Sequence, residues 1–235
     1  MSAGRMAPDF DRARRTTPAR LDVGRAGSRP RTATWLAFQR DHAAARDAVW
    51  SAWSPAFEAR LVGLGFTIVS SAAPDRAAYV REPPCGRRLA PGTVLPAATR
   101  PAWQVVLSDG LSPRAAEAHL ERLWPDLARH LAALGPLGTP IAVRNGRVAV
   151  GDAIGAATGA DVVVHLIGER PGLAAADGLG CYLTWRPGPT TTDADRKCIS
   201  NIRPAGLDPA EAGATIAGVC RRIRAHGGSG TDLVL

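Results

Sequence analysis

Asp161-Val162-Val163-Val164-His165-Leu166-Ile167-Gly168-Glu169-Arg170-Pro171-Gly172-Leu173 decides the fold. An apolar, β-branched run stops abruptly at Gly168, and a carboxylate follows at once. A second apolar run, Cys181-Tyr182-Leu183-Thr184-Trp185, comes next. It leads to Asp195-Arg196-Lys197-Cys198-Ile199-Ser200-Asn201-Ile202-Arg203-Pro204. Short apolar runs bounded by Gly and Pro read as strands buried on both faces, as in parallel sheets. A charged group just past such a strand lies where open α/β sheets take their ligands. The segments after Ile167 and around Cys198 therefore read as two loops of one site.

Outward from this core the pattern alternates. A strand is expected at Gln104–Leu107, then a helix with Ser112 as cap and Pro113 in its first turn. That helix meets Pro125, which should kink it or start a second one. A strand at Pro140–Val143 and a short helix after Asp152 follow. The last helix opens on Asp208-Pro209-Ala210-Glu211, a capping-box pattern, with Ile216, Val219, Cys220 and Ile223 as one apolar stripe. Upstream, Thr32–Leu64 reads as one or two helices. Gly65–Val69 and Ala77–Arg81 flank Ala73-Pro74-Asp75-Arg76 like a hairpin, and Cys85–Arg100 reads as loop. Strands alternating with helices predict an α/β fold, with a mostly parallel Rossmann-like sheet flanked by helices. An extended Arg-rich arm (residues 1–31) and a small helical and hairpin region precede it. Two regions are expected, 1–100 for partner docking and 101–235 for the α/β ligand-binding domain.

Charge supports that division. Residues 1–100 carry 16 arginines and 8 acidic residues, a surplus equal to the whole net charge of +8. Residues 101–235 balance, and Lys197 is the single lysine. Guanidinium forks pair with carboxylates and phosphates. The arginines lie among Ala, Pro and Thr without a series of aromatic stacking residues, so a docking segment is the better reading than a nucleic-acid arm. No apolar run is long enough for a membrane span, and the N-terminus has no apolar signal core. The four cysteines show neither metal spacing nor a disulfide framework. A cytoplasmic protein is expected.

Several chemistries are absent from the sequence. There is no Gly-rich phosphate loop, no nucleophile elbow and no HExxH among the five histidines. His165, inside an apolar strand, reads as a satisfied core histidine. His119 and His130 read as solvated helix-surface residues. No catalytic residue and no metal ligand is assigned.

Five ordered segments carry a resemblance. They are Gly168-Glu169-Arg170-Pro171-Gly172-Leu173, Asp195-Arg196-Lys197-Cys198-Ile199-Ser200-Asn201-Ile202, Val105-Val106-Leu107-Ser108-Asp109-Gly110-Leu111-Ser112, Arg144-Asn145-Gly146-Arg147-Val148 and Gly24-Arg25-Ala26-Gly27-Ser28-Arg29-Pro30-Arg31-Thr32. Their order and spacing resemble the small (light) subunit of ethanolamine ammonia-lyase, from about residue 10 to the C-terminus. The resemblance implies an adenosylcobalamin-dependent carbon–nitrogen lyase (EC 4.3.1.7) that converts ethanolamine to acetaldehyde and ammonia. It implies a large-subunit partner, a (β/α)₈ barrel carrying the substrate site, in an oligomer of large–small pairs. It also carries three cofactor contacts onto this chain: main chain at Val148, the Glu169 carboxylate, and Cys198 as a neutral wall group. The structural alternatives are a core residue at Val148, an ion pair of Glu169 with Arg170 or Arg203, and plain packing at Cys198. Placement inside a bacterial microcompartment stays open. The competing reading is a non-catalytic α/β module that holds another nucleotide-like ligand at the same residues.

Overall fold

The computed structural model describes residues 10–17 and 19–234. In chain order, α1 (Phe10–Thr16), β1 (Arg25–Ala26) and β2 (Arg29–Pro30) form the N-terminal arm. Two helices follow, α2 (Thr32–Trp50) and α3 (Pro55–Gly63). Then come β3 (Thr67–Ser70), α4 (Arg76–Arg81) and α5 (Pro83–Gly86). The remainder is β4 (Trp103–Ser108), α6 (Pro113–Leu134), β5 (Ile141–Arg144), α7 (Val150–Thr158), β6 (Val162–Gly168), β7 (Leu179–Trp185), β8 (Arg196–Ile202) and α8 (Pro209–His226).

Six strands make one sheet in the order β3-β5-β4-β6-β7-β8. The first four are mutually parallel, and β7 and β8 run antiparallel at the edge. The sheet is thus α/β and mostly parallel, as expected. Every residue of β4 and β6 is buried, because helices cover both faces there. One face packs on α6 and α8 through Val105, Leu107, Val164, Leu166 and Leu183 against Leu120, Leu127, Ile216 and Ile223. The other packs on α7 through Val106, Val143 and Val163 against Val150 and Ile154. The sheet takes β3 from the first hundred residues, so it draws on both regions of the chain.

Several expectations are corrected. The arm was expected to be extended, but Phe10–Thr16 is helical, with Arg14 bridging Asp11 at 3.0 Å and Asp22 at 2.9 Å; the rest of the expected arm before Phe10 lies outside the described residues. There is no hairpin at 65–81. Thr67–Ser70 pairs parallel with β5, and Arg76–Arg81 is a helix whose cap, Asp75, accepts the Ala78 N–H at 2.8 Å. That Asp cap, followed by Arg-Ala-Ala without alternation, favours helix over strand. Asp195–Pro204 is no simple loop, since Arg196–Ile202 forms the edge strand β8. Its polar residues hid a period of two. Ile199 packs towards the α8 core, while Cys198 and Ser200 are exposed. The α6 helix runs unbroken through Pro125. Ser112 sits at its N-cap, but its hydroxyl donates to the Ala176 carbonyl at 2.7 Å instead of capping. Asp208 does cap α8, accepting from Ala210 N–H at 2.9 Å, with no return bond from Glu211 among the described residues. His119 is buried rather than solvated, bonded to the Asp177 carbonyl at 3.0 Å.

Candidate functional site

From β4 the chain crosses through α6 to β5 on one side. From β5 it crosses back through α7 to β6 on the other side of β4. The crevice between the C-terminal ends of β4 and β6 is therefore the topological switch point, where open sheets bind ligands. Backbone meets backbone there. Leu111 N–H donates to the Gly168 carbonyl at 2.9 Å. A Cβ on Gly110, whose φ is +56°, would lie 2.2 Å from that oxygen, so only glycine fits.

A cleft of about 420 Å³ opens above this junction, lined by Tyr79, Leu111, Arg147, Val148, Ile167, Gly168, Glu169, Arg170 and Tyr182. A second cleft of about 360 Å³ shares Arg147, Val148 and Tyr182 and continues to Arg87, Asp193 and Arg196. The wall between them is an uncovered piece of sheet. In the pairing register His165 faces Tyr182, and Tyr182 faces Cys198. Paired residues share a face. Along this row His165 lies buried beside α7, Tyr182 is half-buried and Cys198 is exposed. The helical cover ends where the cleft begins.

Glu169 is the half-buried carboxylate at that opening. Its Oε1 accepts the Asn201 N–H at 3.1 Å, tying β6 to the end of β8. It makes an ion pair with neither Arg170 nor Arg203, whose Nε donates to Asn201 Oδ1 at 2.6 Å. Its seat is made by glycines: a Cβ on Gly178 or Gly180 would lie 2.8 or 2.9 Å from a Glu169 oxygen. Val148 lies on the rim shared by both clefts. Its carbonyl accepts from Gly151 N–H at 3.1 Å and His165 Nδ1 at 3.0 Å, and its N–H has no partner among the described residues. Cys198 stands beside Tyr182 on the exposed strand. Desolvation of its sulfur, with Glu169 adding to it, raises the thiol above its ordinary range and keeps it neutral. Of the three residues singled out in the sequence, Val148 and Glu169 line one cleft, and Cys198 lies outside its lining, paired across the strands with Tyr182.

The sequence reading missed the floor of this cleft. Tyr79 carries two guanidiniums over its ring, Arg76 and Arg147, each 4.5 Å from its centre. Burial pushes its phenol up to about 12, and the hydroxyl donates to the Gly146 carbonyl at 3.3 Å. Asp109, at the end of β4, accepts from Asn145 N–H (2.9 Å) and Gly146 N–H (3.1 Å) and lies 3.6 Å from Arg76. Burial outweighs these partners and raises its carboxyl to about 6. Tyr182, about 12 through burial and its Cys198 and Glu169 neighbours, was seen only as a strand residue. An aromatic residue in alternation within the run Cys181–Trp185 could have signalled it. Among the described residues no three His, Cys, Asp or Glu side chains gather to hold a metal ion, and no helix is long and apolar enough to cross a membrane.

The profile of the ethanolamine ammonia-lyase light chain (EutC) matches residues 7–234. The chain belongs to this family. The ethanolamine ammonia-lyase small subunit of Bradyrhizobium diazoefficiens is 45% identical to it over 228 residues, covering 92% of this chain and 87% of the relative.

Proposed function

We propose that this chain is the small subunit of an adenosylcobalamin-dependent ethanolamine ammonia-lyase and forms one wall of the cofactor cleft. The supporting observation is the Glu169 carboxylate, seated on Gly178 and Gly180 at the mouth of the switch-point cleft, with Val148 and Tyr182 beside it. Cobalamin's rim of amide side chains both donates and accepts hydrogen bonds. The cleft offers both partners: an acceptor at Glu169, and donors at the Val148 N–H, Arg147 and the Tyr182 hydroxyl. Neither cleft encloses a ligand of that size, so the chain suits a half-site that a second protein closes. When bound, the cofactor would supply the radical chemistry, with Glu169, Val148 and Tyr182 holding its periphery. This chain's residues would orient the corrin amides, and the uncovered face of β7 and β8 would exclude water from one side. Cys198 contributes a neutral, small wall group.

The large subunit is the proposed partner, and α2 is the proposed docking element. Of its 19 residues only Ala48 is buried, while Trp35, Leu36 and Trp50 are 50%, 61% and 51% exposed. Single exposed apolar residues are common, but a near-bare helix carrying two tryptophans marks an interface. A groove of about 420 Å³ between α2 and the loop after Glu169 is lined by His42, Val49, Trp50 and Leu173. Closure of a partner over α2 therefore reaches the rim of the cofactor cleft. Arg20 of the Arg-rich arm pairs with Asp41 of α2 and adds charge to the same region, and placement in the cytoplasm or a microcompartment follows the partner.

The test is a cobalamin titration of the assembled large–small complex with Glu169→Gln. Each lost charge-assisted hydrogen bond is worth about 1.5–3 kcal/mol, so affinity should fall roughly ten- to a hundred-fold. Unchanged affinity in a folded complex would remove Glu169 from the site and favour a module for another nucleotide-like ligand.

A further inference from the structure

We propose that His165 is a positioning residue: with Ser108 it fixes the main chain at Val148, on the rim shared by the two clefts. The proposal rests on reading that rim as part of the cobalamin wall. The two residues form a buried relay. His165 Nε2 lies 2.7 Å from Ser108 Oγ, and Nδ1 lies 3.0 Å from the Val148 carbonyl oxygen. Ser108 is 0% and His165 1% exposed. A carbonyl only accepts, so Nδ1 carries the hydrogen. The Nε2 lone pair then takes the Ser108 O–H, so both ring nitrogens are satisfied and the ring is held in the orientation that serves Val148. Burial pushes the imidazole down to about 4 and keeps it neutral.

The surroundings are cut to fit the pair. A Cβ on Gly146 would lie 2.3 Å from Ser108 Oγ, and one on Gly151 would lie 2.8 Å from Nδ1. A core strand of Val, Leu and Ile gains nothing from two buried polar groups, whose desolvation is costly unless bonded. What this pair delivers is a restraint. Asp109 already holds Asn145 and Gly146, and the Gly86 carbonyl accepts the Arg147 N–H at 2.8 Å. Val148 has only the local bond from Gly151 besides its bond from His165. Among the described residues His165 is thus the one tertiary hydrogen-bond anchor of Val148, and it keeps the unpartnered Val148 N–H at a fixed place on the rim.

Three replacements at this position separate restraint from packing. Asparagine places its Nδ2 where the imidazole Nδ1 stands and keeps the donor to Val148. Glutamine reaches Ser108 instead and loses that donor. Leucine fills the space and loses both. Two readouts apply: amide hydrogen exchange over residues 145–151 in the full chain, and hydroxocobalamin titration after assembly with the large subunit. His165→Asn should stay within about twofold of the native protein in both. His165→Gln and His165→Leu should exchange faster and bind hydroxocobalamin about three- to tenfold more weakly, the effect of one neutral hydrogen bond. Ser108→Ala should shift both readouts the same way but less, because the Nδ1–H donor to Val148 remains while the ring loses the bond that holds its other edge. Equal losses for Asn and Gln, or unchanged exchange in Gln and Leu, would overturn the proposal. Glu169→Gln run alongside separates the two claims. Weaker binding in Glu169→Gln with native binding in His165→Gln sinks the positioning role alone. Native binding in both, with faster exchange in His165→Gln, sinks the cobalamin reading and the positioning role with it.

Discussion

At the scale of residues, the candidate site depends on what its neighbours lack. Glu169 reaches its place over β7 because positions 178 and 180 have no side chain. Gly180→Ala puts a methyl 2.9 Å from Oε1, so the carboxylate must turn away. The expected outcome is cobalamin affinity reduced by about tenfold, on the scale of one charge-assisted hydrogen bond, in a complex with native circular dichroism. Cys198→Ser keeps the size of the wall group and should bind within about twofold of native, whereas Cys198→Trp should block the cleft; a titration of both variants checks this. His165 and Asp109 make opposed contributions to stability. The His165 pKa is lowered to about 4, so its contribution is present above about 6.5 and is lost as pH falls towards 4. The Asp109 pKa is raised to about 6, so its contribution is present below 3.8 and is lost as pH rises through 6. Between pH 4 and 6 the two slopes offset each other. His165→Leu removes one of them. Its destabilisation relative to the native chain, from urea unfolding, should shrink by about 2 kcal/mol between pH 7 and pH 4.5; a constant difference would refute the neutral buried ring.

At the scale of elements, the helices and strands that follow a simple period were legible, and those that serve the edges were not. β4, β5 and β6 are apolar runs, and α6 and α8 carry apolar stripes with Pro at their starts, so residue pattern alone placed them. The hairpin expectation failed because Asp75 caps a helix, a local bond that outweighs the flanking β-branched residues. β8 failed because an edge strand facing a cleft carries Arg196, Cys198 and Ser200 where a core strand would carry valine. Its irregular pairing with β7 between Leu179 and Cys181 breaks the alternation further. Glu169, Val148 and Cys198 were found through ordered motifs. Tyr182 and the Arg76–Tyr79–Arg147 stack carry no motif, because their roles arise from three-dimensional neighbours. The segment around α2 is a different case: its Trp35, Trp50 and Trp53 mark a candidate partner surface in the sequence, and the structure leaves Trp35 and Trp50 exposed but buries Trp53, beyond the end of α2, in the core. Trp35 stacks on Phe38 at 5.7 Å, and Phe38 on His42 at 6.0 Å, along one exposed ridge. Trp35→Asp should leave the chain's melting temperature within a few degrees of native, since little of α2 enters the core. It should weaken association with the large subunit by at least about tenfold, the loss typical of an aromatic anchor at an interface. Sedimentation of the mixed subunits is the measurement, and undiminished association would place the interface elsewhere.

At the scale of the whole molecule, the described chain is built on one sheet with a strip of one face left uncovered. α6 and α8 together cover one side through to β7 and β8, whereas α7 stops over β4 and β6. The Asp152–Arg196 ion pair then ties α7 to the first residue of β8 and holds the uncovered strip in register with the switch-point crevice. Such a surface can grip one side of a large flat ligand, but it leaves the other side in water. Contacts on one side offset only part of the loss of translational and rotational freedom. The purified chain should therefore bind adenosylcobalamin at least about a hundred-fold more weakly than the large–small complex, and it should release no ammonia from ethanolamine. The decisive measurement compares ammonia and acetaldehyde release from this chain, the large subunit, and the two together, each with adenosylcobalamin present. Activity only in the mixture is expected, because the cleft is closed only there. Full activity from either subunit alone would overturn the two-wall arrangement. Inactivity of a folded, assembled pair would mean that the uncovered strip of β7 and β8 faces some other ligand.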